Sequence, residues 1–95
     1  MSTELAWSDW LDFSQEQISM VPESSGVYMM HAAMKILYIG GSSNIKGSVS
    51  ELASKECTCN AKRFKYAKTA DYKQEAGRLI QEYKQKHGGS MPICM

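Results

Sequence analysis

In this 95-residue chain, the residues whose types most directly suggest chemistry are Cys57, Cys59, His87 and Cys94. Thiolates and imidazole together can hold zinc, so a four-ligand set can be written from them. Cys57-Thr58-Cys59 is a C-x-C, however, and common zinc sites use C-x2-C. Only that one pair is close in sequence. Three cysteines are an odd number, and the amino end, Met1 to Leu5, lacks the basic start and apolar stretch of a secretion signal. Both features argue against a disulfide framework. The expectation is free thiols, some of them buried, in a cytoplasmic protein. No apolar run approaches the roughly 18 residues of a membrane span.

Two other sets could do chemistry. Tyr28 and Tyr38 sit in short β-prone runs, where a phenol either packs a small core with its hydroxyl outward or lines a site on a sheet face. The basic residues are unevenly spread. Residues 1–54 hold two basic side chains, Lys35 and Lys46, against six acidic ones. Residues 55–95 hold nine basic against four acidic. The second half therefore favours a polyanion, unless its charges simply form a solvated helix face.

The length fits one domain, 1–95, with a thin core and room for one site on a small sheet. Trp7, Trp10 and Leu11 fall near helical spacing, and Ser8 or Asp9 could cap a short helix; both tryptophans are expected in the core. Val21 to Gly26 reads as a turn. Val27-Tyr28-Met29-Met30-His31 and Ile36-Leu37-Tyr38-Ile39 read as two strands close enough to pair, joined through the poor turn sequence Ala32-Ala33-Met34-Lys35. Ser42-Ser43-Asn44 can cap a helix carrying Ile45, Val49, Leu52 and Ala53. Residues 57–61 read as a loop. The run 62–68 alternates as a third strand, predicting Phe64 and Tyr66 buried and Arg63 and Lys65 exposed. Tyr72, Ala76, Leu79, Ile80 and Tyr83 form the stripe of a last helix that ends at His87-Gly88-Gly89. Pro92 and Ile93 return against the sheet.

Gly26-Val27-Tyr28, nine intervening residues and Tyr38-Ile39-Gly40 together resemble the GIY-YIG nuclease family. Pro22 before the first tripeptide, Ser42-Ser43-Asn44-Ile45 after the second, and Glu75-Ala76 on the last helix extend the likeness over about residues 20–93. The resemblance implies an α+β, GIY-YIG-like fold: a small, mostly antiparallel three-stranded sheet flanked by helices. It also implies metal-dependent phosphodiester cleavage of DNA. In that chemistry a fixed cation and a divalent metal, Mg2+ or Mn2+, meet the charge of a phosphoryl transition state.

Carried over by position, Tyr28 and Tyr38 match the family tyrosines, and Gly40 matches the glycine that lets backbone approach the phosphate. The family arginine position is Ser48, a hydroxyl where the resemblance implies a bidentate cation. Lys46 is the nearest cation and joins Tyr28, Tyr38 and Gly40 as a catalytic candidate. Alignment on Leu79-Ile80 puts Ala76 at the metal-binding glutamate, and alignment on Glu75-Ala76 puts Ile80 there. Glu75 is the nearest carboxylate and the metal candidate, though it could instead pair with Arg78 on the helix surface. Asn44, Arg63, Lys65 and Arg78 are the nucleic-acid-binding candidates. The expected partner is nucleic acid, DNA foremost, with a protein partner supplying sequence specificity. The alternative is a non-catalytic scaffold for protein–protein contact.

Overall fold

The computed structural model describes residues 5–33 and 35–95. In order, its elements are β1 (Leu11–Asp12), α1 (Gln15–Ser19), β2 (Gly26–Ala32), β3 (Lys35–Ser42), α2 (Ile45–Leu52), a 3-10 turn (Thr58–Asn60), β4 (Arg63–Lys68) and α3 (Tyr72–Lys86). The strands form one antiparallel sheet in the order β1-β4-β2-β3. The three expected strands are present, and the two-residue β1 adds a fourth beside β4.

Alternation along the strands assigns every side chain to a layer. Tyr28 lies opposite Tyr66 and Gly40, and Met30 lies opposite Phe64 and Tyr38. These residues share one face with Ile18 of α1 and with Ile45, Val49 and Leu52 of α2. Val27, Ile39 and Ala67 share the other face with Ala76 and Leu79 of α3. The sheet is thus sandwiched, with α1 and α2 on the tyrosine side and α3 on the opposite side. Phe64 and Met30 are fully buried at the centre of the first layer. Burying a large side chain of this kind stabilises the fold by about 1.5–3 kcal/mol.

Local signals account for the helix boundaries. The Asn44 side chain accepts from the Gly47 amide at 3.1 Å and caps α2, a contact worth on the order of 1 kcal/mol. On α3, Ala76 and Leu79 are buried, while Tyr72, Ile80 and Tyr83 pack at the margin of the same layer. Gly88 and Gly89, both at positive φ, end that helix. At Gly41 a side chain would meet the Tyr72 carbonyl at 2.6 Å, so glycine there lets α3 lie directly on β3.

Four expectations need correction. No helix contains Trp7 and Trp10. That segment runs beside β4, where the Ser8 amide donates to the Tyr66 carbonyl at 2.9 Å and the Ser8 hydroxyl accepts from the Tyr66 amide at 3.1 Å. The short helix instead begins at Gln15, capped by Ser14. The tryptophans flank the α3 side of the sheet without being interred: Trp7 packs against its cluster, and Trp10 is 36% exposed. Along β4, Phe64 is buried and Arg63 exposed as expected, whereas Tyr66 and Lys65 are both half-buried. Finally, Cys57 and Cys94 are not free thiols but a disulfide. The loop after α2 and the carboxyl tail meet with Cα atoms 5.8 Å apart, a proximity that a sequence separation of 37 conceals. That bond removes two members of the possible zinc set and leaves Cys59 free and exposed. The tail is held along β3 as well. The Ile93 and Cys94 amides donate to the Ile36 and Leu37 carbonyls at 3.3 and 2.7 Å, and Pro92 is buried. Of the β2–β3 connection, Met34 lies outside the described residues, and Ala33 adopts a φ of 51°.

Candidate active-site face

Pairing of β2 with β3 places Tyr28 and Tyr38 on the α2 side of the sheet. Their rings are nearly parallel, 6° apart, with centroids at 6.1 Å. Gly40 makes this possible: a Cβ there would stand 2.9 Å from the Tyr28 hydroxyl and 2.8 Å from Cε1 of Tyr38. The glycine is therefore explained by two aromatic rings converging over one backbone position, in addition to any approach by a phosphate.

Around the rings lies a hydroxyl network that the sequence did not announce. The Ser48 hydroxyl donates to Ser42 Oγ at 2.6 Å. Ser42 Oγ also accepts from the Asn44 amide at 2.9 Å and donates to the Asn44 carbonyl at 2.9 Å. Ser48 thus joins α2 to the end of β3. The available clue was the pair of serines flanking the Asn44 cap, one four residues beyond it and one two before.

The Tyr28 phenol is pushed up to about 12, first by burial, then by the nearby Tyr38 and Glu51, with the Ser48 hydroxyl offsetting only part of the rise. It is a proton donor at neutral pH and resists becoming a base. Glu51 is the second feature missed. It lies three residues after Ser48 on α2, within electrostatic reach of Tyr28, and its carboxylate is 3.8 Å from Lys55.

The other candidates disperse. Lys46 is half-buried in the first turn of α2, with no ion pair among the described residues. Asn44 is occupied as the α2 cap. Glu75 is on α3, the helix across the sheet from the tyrosine pair, and accepts from Arg78 Nη2 and Nε at 2.6 and 3.0 Å. Arg78 also donates to Glu82 at 2.8 Å. These hydrogen bonds, foremost those donated to Glu75, hold the guanidinium in its charged form. Arg63 and Lys65 alternate with Phe64 and so face the α3 side. Arg63 stands 3.7 Å from Asp12. The Lys65 ammonium lies over Trp7 and Trp10, at 4.7 and 4.9 Å from the ring centroids. The structure brings together Tyr28, Tyr38, Gly40, Ser42, Asn44 and Ser48; it does not bring Glu75, Arg78, Arg63 or Lys65 to them.

No family model matches the sequence, and no curated protein does. Solved structures do. The chain is similar to the GIY-YIG N-terminal endonuclease domain of UvrC from Thermotoga maritima bound to its catalytic divalent cation, magnesium. Identity is 17%, covering 85% of this chain and 93% of that one, with a TM-score of 0.62. Two tyrosine-to-phenylalanine variants of the same domain, bound to the catalytic divalent cation, match at 17% and 16% identity with the same TM-score of 0.62 and cover 85% of this chain and 92–93% of theirs. The fold of this chain is GIY-YIG-like.

A hard divalent cation takes oxygen ligands, and Mg2+ commonly keeps several waters beside one or two carboxylates. Among the described residues no three His, Cys, Asp or Glu side chains converge. Glu75 is engaged by Arg78, which leaves Glu51 as the one carboxylate acting on Tyr28. Glu51 is therefore the carboxylate on the tyrosine side, among the described residues, that could hold such an ion together with water. Among the described residues no helix is long and apolar enough to cross a membrane.

Proposed function

We propose that this chain is a GIY-YIG-like nucleic-acid-binding domain that holds the phosphate backbone and cleaves it feebly or not at all. The observation that carries the reading is Ser48. It stands where the resemblance implies arginine, and its hydroxyl donates to Ser42. A neutral hydroxyl cannot supply the cationic fork that a phosphoryl transition state calls for. Removing one preorganised donor of charge stabilisation costs on the order of 10²–10³ in rate in other enzymes. Tyr28 adds to the deficit, because a phenol pushed up to about 12 stays protonated and can donate to a phosphate oxygen but not activate water.

Support for binding comes from charge. Lys62, Lys68, Lys73 and Lys86 of the basic half are exposed, and none forms an ion pair among the described residues. Such lysines contact phosphate without reading sequence, so affinity should fall steeply with salt. DNA is the first substrate to try, with specificity left to a protein partner.

The test uses end-labelled duplex and single-stranded DNA. Binding is measured between about 50 and 200 mM salt, and strand integrity is followed with added Mg2+ or Mn2+ against a chelator control. Salt-dependent binding with intact strands is expected. Robust, chelator-sensitive cleavage lost in Tyr28→Phe would overturn the weak-catalysis part. No binding at low salt would overturn the nucleic-acid part in favour of protein contact.

A further inference from the structure

On the sheet face away from the tyrosine pair, β4 presents Arg63 and Lys65 side by side, about 7 Å apart along the strand. Neither charge is firmly neutralised. Arg63 meets only Asp12, at 3.7 Å, with both side chains more than half exposed, a pairing of small net worth that a phosphate can replace. Lys65 has no carboxylate partner among the described residues. Its ammonium rests over Trp7 and Trp10 instead, at 4.7 and 4.9 Å.

Those rings are unusual in where they stand. Trp10 is 36% exposed, the one aromatic among the exposed large apolar side chains described. It meets the His31 imidazole edge-on with centroids 4.1 Å apart, and His31 lies directly across the strand pair from Arg63. His31 Nδ1 is the only buried side-chain polar atom without a hydrogen-bond partner among the described residues. An indole this exposed, with the Lys65 ammonium over its ring and an unsatisfied imidazole at its edge, is poorly accounted for by core packing alone.

We infer that Trp10, His31, Arg63 and Lys65 form a single-stranded nucleic-acid subsite in which Trp10 stacks an unpaired base and Arg63 and Lys65 take the flanking phosphates. The inference rests on the nucleic-acid reading above and adds a second surface to it. A free base offers its π-face to an aromatic side chain whatever its sequence, while cations alongside track the backbone. A base inside a duplex has both faces stacked already, so the subsite distinguishes single strands from duplex. His31 meets the Trp10 indole edge-on and so holds the ring in place for that stacking.

The experiment uses the full chain with a short oligothymidylate and a duplex of equal length. Trp7→Phe leaves Trp10 as the sole tryptophan, and its emission should be quenched on adding the oligothymidylate. Trp10→Ala should weaken oligothymidylate binding by roughly 5- to 150-fold, the range that stacking of one base supplies. It should leave the salt dependence and duplex affinity nearly unchanged. Trp10→Phe should retain most of the affinity, which a simple loss of fold would not permit. Wild-type oligothymidylate affinity in a folded Trp10→Ala protein, or unquenched Trp10 emission in Trp7→Phe at saturation, would overturn the subsite while leaving the general binding reading intact. Absence of binding to either nucleic acid by the wild type would overturn both.

Discussion

Gly40 lies beneath the Tyr28 ring so closely that a methyl group there would sit 2.9 Å from the phenolic oxygen. The same methyl would press on Tyr38 at 2.8 Å. Gly40→Ala is therefore expected to displace one ring or bend β3, costing about 1–3 kcal/mol as overpacking of a buried site does. Chemical denaturation would show it as a lower midpoint. Near-ultraviolet circular dichroism would report the moved tyrosines.

The Tyr28 phenol predicts behaviour at high pH. In the folded chain it is pushed up to about 12, against 10.0 when unfolded. The folded state thus holds this proton more tightly. Stability from this source is intact below pH 10 and is lost as pH climbs through about 12. The loss is at most about 3 kcal/mol, less where water reaches the hydroxyl. Alkaline unfolding followed in wild type and in Tyr28→Phe should diverge over that window. Of the five tyrosines, one should ionise last in an ultraviolet titration, and Tyr28→Phe should remove it. Coincident curves would contradict the environment described for Tyr28.

Ser48→Arg tests whether charge is what the tyrosine face lacks. The substitution gives up the 2.6 Å hydrogen bond to Ser42, a loss of roughly 0.5–1.5 kcal/mol. It is expected to strengthen DNA binding at low salt, with the salt slope steeper by about one phosphate contact. Unchanged affinity and slope would mean that phosphate does not visit this face.

Reduction of Cys57–Cys94 should destabilise the protein. The bond closes a 37-residue separation, and closing a loop of that length restricts the unfolded chain by roughly 3–4 kcal/mol. Cys94→Ser should reproduce the effect, and Cys59→Ser should not. Equal melting with and without reductant would contradict this.

The hairpin, α2, β4 and α3 were legible because each carries a short-range pattern: alternation around Tyr28, Tyr38 and Phe64, a cap at Asn44, a stripe through Ala76 and Leu79. The site was only partly legible for the opposite reason. Tyr28, Tyr38 and Gly40 are brought together by register, which the hairpin dictates. The Ser42–Ser48 link, the influence of Glu51 and the Cys57–Cys94 bond depend on how elements pack, and no periodicity encodes that. The amino segment misled because Trp7, Trp10 and Leu11 fit helical spacing, whereas an open backbone edge on β4 was there to be paired. Lys65 followed the alternation, yet two tryptophans folded over it and half-covered what the pattern exposed.

The tail drawn along β3 has a consequence for handling the protein. β3 is the outermost strand on its side, eight residues long and apolar through Ile36–Ile39. Ile93, Cys94 and Met95 occupy its outward backbone positions, the last through its sulfur at 3.5 Å from the Ile39 amide. Left bare, such an edge is a template on which another chain can add a strand, and so a starting point for fibrils. Preparations cut short before Pro92, or stored with reductant, are therefore expected to lose solubility with time, while oxidised full-length material stays monodisperse in light scattering.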